Sequence, residues 1–152
     1  MKKKIIFAIL SMFYTIIFST SVFATDLQSV QTSEDGFIVE TIIEDESDPS
    51  FFSTSTVKKK KTTTYKNSSG SILWSVTVHG TFTYNGSSAK CISSSVSTTC
   101  PNTNWKISSK SASKSGATAS ATASAKQYQN HLYLKTITKT VKLTCSKTGK
   151  FS

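Results

Sequence analysis

The sequence predicts an all-β protein: a small antiparallel β-sandwich or open barrel of about five to seven strands, preceded by a cleaved signal peptide. Three observations predict it. Apolar and polar residues alternate with period two through Trp74–Tyr84, through the Trp105 and alanine segments, and again before Cys145. Turn signals at Asn85-Gly86 and at Lys114-Ser115-Gly116 separate those runs. Beyond residue 24, no stretch carries the period of an amphipathic helix.

Lys2, Lys3 and Lys4 precede an apolar run from Ile5 to Phe18. Ser19 to Ala24 then end in Val22-Phe23-Ala24, a small-residue cleavage pattern before Thr25. The run is short for a membrane span of about 20 residues. Residues 1–24 therefore read as a secretory leader, and no transmembrane segment is expected after its removal. The chain is expected to be secreted, or held on the cell wall by non-covalent contacts.

Residues 25–49 form an acidic N-terminal segment. Thr25–Asp35 is polar and aperiodic, so it is expected to be loosely attached, whereas Phe37–Ile43 is a candidate strand rich in β-branched residues. Residues 50–70 read as a Ser/Thr/Lys-rich linker or edge strand, the lysines protecting the edge. The β-domain proper is expected over residues 71–152. In its first hairpin, a two-residue Asn85-Gly86 turn sets Phe82 opposite Ala89 and Gly80 opposite Cys91. In the second, a three-residue loop sets Trp105 opposite Ala125 and Ile107 opposite Ala123, with the row Ala117 to Ala125 making room for the indole. In the last segment Tyr133, Ile137, Val141, Leu143 and Cys145 share a face, with a bulge expected near Lys135.

Charge divides the chain. All eight carboxylates lie between Asp26 and Asp48; fifteen lysines and no arginine follow. After the leader the net charge is +7, split as −8 up to Asp48 and +15 beyond it. A stretch without Asp or Glu lacks the usual general acids, general bases and hard-metal ligands. No enzyme, cofactor or metal site is expected. A serine or cysteine nucleophile paired with histidine would need an orienting carboxylate. Only the acidic segment could supply one, by reaching His79 or His131. Those histidines, one on a polar strand face and one near a turn, otherwise read as ordinary surface residues without zinc-ligand spacing.

Cys91 and Cys145 fall on apolar strand faces, while Cys100 precedes Pro101 in a loop. Cys91 and Cys100 would lie on the order of 30 Å apart along an extended strand. The favoured disulfide is therefore Cys91–Cys145, with Cys100–Cys145 next, and Trp105 could pack on it as the tryptophan does in immunoglobulin sandwiches. The threonine faces (Thr77, Thr81, Thr83; Thr136, Thr138, Thr140, Thr144) are hydroxyl arrays, but threonine is also the ordinary outward residue of a sheet. The lysines are spread and no nucleic-acid-binding motif is present, so nucleic acid is not an expected partner.

The segments LWSVTVHGTFTYNGSSAKC, NWKISSKSASKSG and TKTVKLTCSKTGK resemble small secreted β-rich proteins of Gram-positive anaerobic bacteria, a group of unknown function. The likeness covers residues 72–152 and implies an exported β-domain with a disulfide candidate between the AKC and LTC strands. It brings no catalytic residue and no ligand. The expected role is an exported, non-enzymatic protein that associates with anionic cell-envelope or surface polymers through lysines. Lys58, Lys59, Lys60 and Lys61 are the densest candidate contact. The alternative is a secreted cationic toxin or bacteriocin-like effector whose segment 25–48 shields the basic domain until it is removed.

Overall fold

A computed structural model describes residues 28–46 and 56–152; the predicted leader lies outside the described residues. The chain is all-β, with two antiparallel sheets and no helix among the described residues. The strands are β1 (Gln28–Glu34), β2 (Phe37–Asp45), β3 (Thr56–Lys66), β4 (Ile72–Tyr84), β5 (Ala89–Thr99), β6 (Trp105–Ser115), β7 (Thr118–Gln129) and β8 (Leu132–Thr144). One sheet is ordered β1-β2-β3-β4-β5 and the other β6-β7-β8. Both follow chain order without a crossover. The eight strands exceed the expected five to seven by β1: five lie in 71–152, β2 covers the candidate strand at 37–43, and β3 lies in the segment 50–70 expected as linker or edge strand.

That N-terminal half corrects the sequence reading. The segment expected to be loose contains β1, which pairs with β2 from Gln28↔Ile43 to Glu34↔Phe37. The turn between them is Asp35-Gly36, both at positive φ (49° and 79°), the type I′ geometry that suits the twist of a hairpin. β3 is neither linker nor edge strand: it lies between β2 and β4, paired along its length with each. The acidic segment is thus built into the larger sheet, and Val39 and Ile43 of β2 belong to the core.

β4 keeps the predicted alternation. Trp74, Val76, Val78, Gly80 and Phe82 are buried facing the second sheet. Ser75 and Thr77 on the other face are also buried, because β4 is flanked on both sides. Their hydroxyls bond to Thr99 and Thr62 at 2.7 and 2.9 Å.

The hairpin registers differ from expectation. Phe82 faces Cys91 and Tyr84 faces Ala89, across a four-residue loop, Asn85–Ser88, and a bulge near Thr81. The loop is long because Asn85 Oδ1 accepts from the amides of Ser87 and Ser88, which holds the chain open into an Asx turn. Between β6 and β7 the turn has two residues, Gly116-Ala117, with Gly116 at φ 54°. Trp105 then faces Gln127 and Ile107 faces Ala125. A bulge at Ser108 returns the strand to the correct face, so the shorter turn does not set the aromatic face against hydroxyls. The bulge expected in β8 lies at Leu134, between Gln127↔Lys135 and Tyr128↔Tyr133. Beyond it Ile137, Val141, Leu143 and Cys145 face inward, but Tyr133 is exposed.

One core joins the sheets. At one end Tyr65 stacks on Trp74 (centroids 4.6 Å apart, planes 5° apart), and Trp105 packs on Trp74 and Phe37. Trp105 therefore serves this aromatic cluster and not the cysteines. Toward the other end lie Phe82, Phe151, Cys91 and Cys145; Phe151 meets Phe82 edge-on and bridges to Cys145 through the backbone. Ala119, Ala121, Ala123 and Ala125 form the small-residue floor between them.

Candidate functional site

The lysine run folds as a strand, so its residues alternate in direction. Lys59 and Lys61 share the face of Gly80 and Val78; Lys58 and Lys60 share that of Thr81 and His79. The acidic strand lies alongside, with Asp45 opposite Lys59, Glu44 opposite Lys60 and Ile43 opposite Lys61. Lys59 pairs with Asp45 at 2.7 Å and Lys60 with Glu44 at 3.1 Å. Lys66 pairs with Glu40 at 2.8 Å. Lys61 is half-buried, and loss of water pushes its ammonium below its ordinary pKa. Two of the four lysines of the densest predicted cationic contact, Lys59 and Lys60, are thus engaged with the chain's own carboxylates.

A further carboxylate crosses between the sheets. Glu34, at the end of β1, accepts from Lys139 of β8 at 2.7 Å and from the Tyr65 hydroxyl at 3.2 Å. The Lys139 hydrogen bond holds the Glu34 carboxyl below its usual range, against the opposing pull of desolvation. Burial, followed by the charge of Glu34, pushes the Tyr65 phenol up.

The second sheet carries a different electrostatic pattern. Its strands contain no carboxylate, and among the described residues Lys139 is the one lysine of this sheet in an ion pair. On its outward face Lys106 and Lys126 lie directly opposite each other, both exposed. Two like charges so placed destabilise the pair of strands. Lys142 lies on the same face, which also carries Tyr128 and Tyr133, with the Lys106 ammonium 5.5 Å from the Tyr128 ring centre; the rest is Ser and Thr, with Thr122–Thr140 and Ser124–Thr138 as cross-strand hydroxyl pairs at 2.8 Å.

The most developed polar constellation lies on the outward face of the first sheet. β2 ends beside β3, where the Glu46 amide donates to the Lys58 carbonyl. This places the Glu46 carboxylate 2.5 Å from His79 Nδ1 on β4. The other ring nitrogen, Nε2, lies 2.7 Å from Ser97 Oγ on β5. A carboxylate can only accept, so Nδ1 carries the proton; in the neutral ring Nε2 then accepts from the serine hydroxyl. A shallow cleft of about 350 Å³ opens over these groups, lined by Lys58, Thr81, Ser93 and Ser95 among others.

His79 on sequence alone reads as an ordinary surface histidine. The structure meets the one condition stated for it, a carboxylate arriving from the acidic segment. Ser97 carried no signal, being one of many serines in CISSSVSTTC. His131 sits in the β7–β8 turn at φ 66°, exposed and away from this cluster.

The cysteines are free thiols, and the expected Cys91–Cys145 disulfide is not formed. Both are buried at the mouth of the β6–β7 turn, the Cys91 amide donating to the Gly116 carbonyl and that of Cys145 to Ala117. Each thiol turns to a backbone carbonyl instead, Cys91 to Ser93 at 3.2 Å and Cys145 to Ser146 at 3.3 Å. Cys100 is half-buried. Burial pushes all three thiols up, away from the reactive thiolate. The chain matches no protein-family model, no curated protein and no solved structure.

Proposed function

We propose that this is an exported protein that associates with anionic polymers of the cell envelope or a host surface. The contact is the outward face of β6, β7 and β8, in place of the lysine run at Lys58–Lys61. The carrying observation is the exposed Lys106–Lys126 pair, two like charges held face to face with no carboxylate on their sheet. A bound phosphate or carboxylate polymer would relieve that repulsion, and exposed hydroxyls beside it supply hydrogen bonds to the same anion. Lys142 extends the contact along β8.

The test is retention of the purified protein on isolated cell walls through a salt gradient. Changing Lys106, Lys126 and Lys142 to Ser should bring elution to clearly lower salt, because screening acts on exposed charges over about 8–10 Å. Changing Lys59 and Lys60 to Ser should change it little, since both are paired within the chain. Parental retention by the triple variant would overturn the reading.

A further inference from the structure

We propose that Glu46, His79 and Ser97 form a serine-nucleophile site that hydrolyses small acyl esters borne on polar carriers. Glu46, just past the end of β2, meets His79 of β4 and Ser97 of β5 across separations of 33 and 18 positions, in the order such chemistry requires. The carboxylate lies on Nδ1 at 2.5 Å and the hydroxyl on Nε2 at 2.7 Å. This is the relation of acid, imidazole and alcohol in a catalytic triad, which is recognised by geometry and not by chain order.

The choice of serine also points to a site. In the strand register His79 lies opposite Ser95, yet the ring reaches diagonally to Ser97. Ser97 is exposed, on a strand at the edge of its sheet, and lines the open cleft with Ser93, Ser95 and Thr81. Such a wall admits a polar substrate in preference to a long acyl chain. Lys58 also lines this cleft.

The reaction balances with water alone. Ser97 Oγ attacks the ester carbonyl carbon as its proton passes to His79 Nε2. The tetrahedral adduct collapses, breaking the bond to the alcohol oxygen, which leaves with the proton from Nε2. His79 then takes a proton from water as the hydroxide attacks the acyl-serine. Collapse releases the carboxylic acid and returns the proton to Ser97 Oγ. Glu46 is a positioning residue: it fixes the ring tautomer and stabilises the imidazolium formed in each half-reaction.

The experiment is labelling of the intact protein with a fluorophosphonate, followed by peptide mass spectrometry. Ser93 and Ser95, exposed on the same strand, serve as internal controls that need no variant. Ser97 should be labelled at least tenfold faster than either. His79→Gln should slow Ser97 labelling by roughly a hundredfold, the scale of a general base. Ser97→Ala should abolish the burst of nitrophenol from p-nitrophenyl acetate, leaving only slow hydrolysis by surface lysines. Labelling of Ser97 at the rate of Ser93 and Ser95, or unchanged labelling in His79→Gln, would overturn the proposal.

Discussion

Gly80 has an ordinary strand conformation, and its conservation of space is what matters: a Cβ there would lie 2.3 Å from Phe82 Cε2 and 3.1 Å from Ala119 Cβ. The Phe82 ring is fully buried and held edge-on by Phe151, so it has little room to swing away. Gly80→Ala should therefore destabilise the protein by about 1–3 kcal/mol, read from the urea midpoint. Glu34 gives a pH-dependent counterpart. Its carboxyl is lowered from the ordinary 4.5, so its stabilising effect is complete above that value and is lost as pH falls through the native one. Glu34→Gln should accordingly show a shallower loss of melting temperature on acidification below about pH 4.5 than the parent does. The effect will be modest, because the group is substantially exposed. Residue-scale partners were the hardest to foresee. His79 lies 33 positions from Glu46 and 18 from Ser97, so no local spacing announces that they meet.

Among the elements, β4 and the alanine strand β7 followed from period-two alternation because each has one face on the core. β1 did not, since its side chains from Ser29 onward are exposed and leave no apolar trace. The usable sign was Asp35-Gly36, as strong a hairpin signal as Asn85-Gly86, beside a run too polar to look like a strand. Registers failed where a loop or bulge added a residue: Asn85 lengthened one turn, and the Ser108 bulge made a short turn compatible with the core. The placement of β2 bears on the idea of a removable acidic shield. Val39 and Ile43 are buried, each worth about 1.5–3 kcal/mol of apolar burial, and β2 also satisfies one edge of β3. Removal of residues up to 46 should abolish cooperative unfolding followed by circular dichroism, instead of releasing a folded basic domain. A truncated chain that melts as sharply as the parent would restore the shield.

In the whole molecule, part of the acidic block meets lysines of the same chain. Acidic β2 neutralises lysines of β3, and Glu34 reaches Lys139 on the far sheet. Each exposed pair is worth no more than about 1 kcal/mol. Their larger effect is on where charge remains: the first sheet becomes mixed, while the second keeps a cationic outer face. The all-β class and much of the core could be read from composition and alternation. The charge pattern could not, because it depends on which strand lies beside which.

The sheet order also bears on how the protein reaches this state. Every neighbouring pair in each sheet is also adjacent in the chain, and a single link around Pro101 separates the strands of one sheet from those of the other. Each hairpin can close as soon as its second strand is available, so the entropy of closing a long loop is deferred to one event, the docking of the sheets. For the described residues, which form strands and no helix, this is a low-contact-order route, and it favours faster folding than Greek-key sandwiches, whose strands must find distant partners before any sheet is complete.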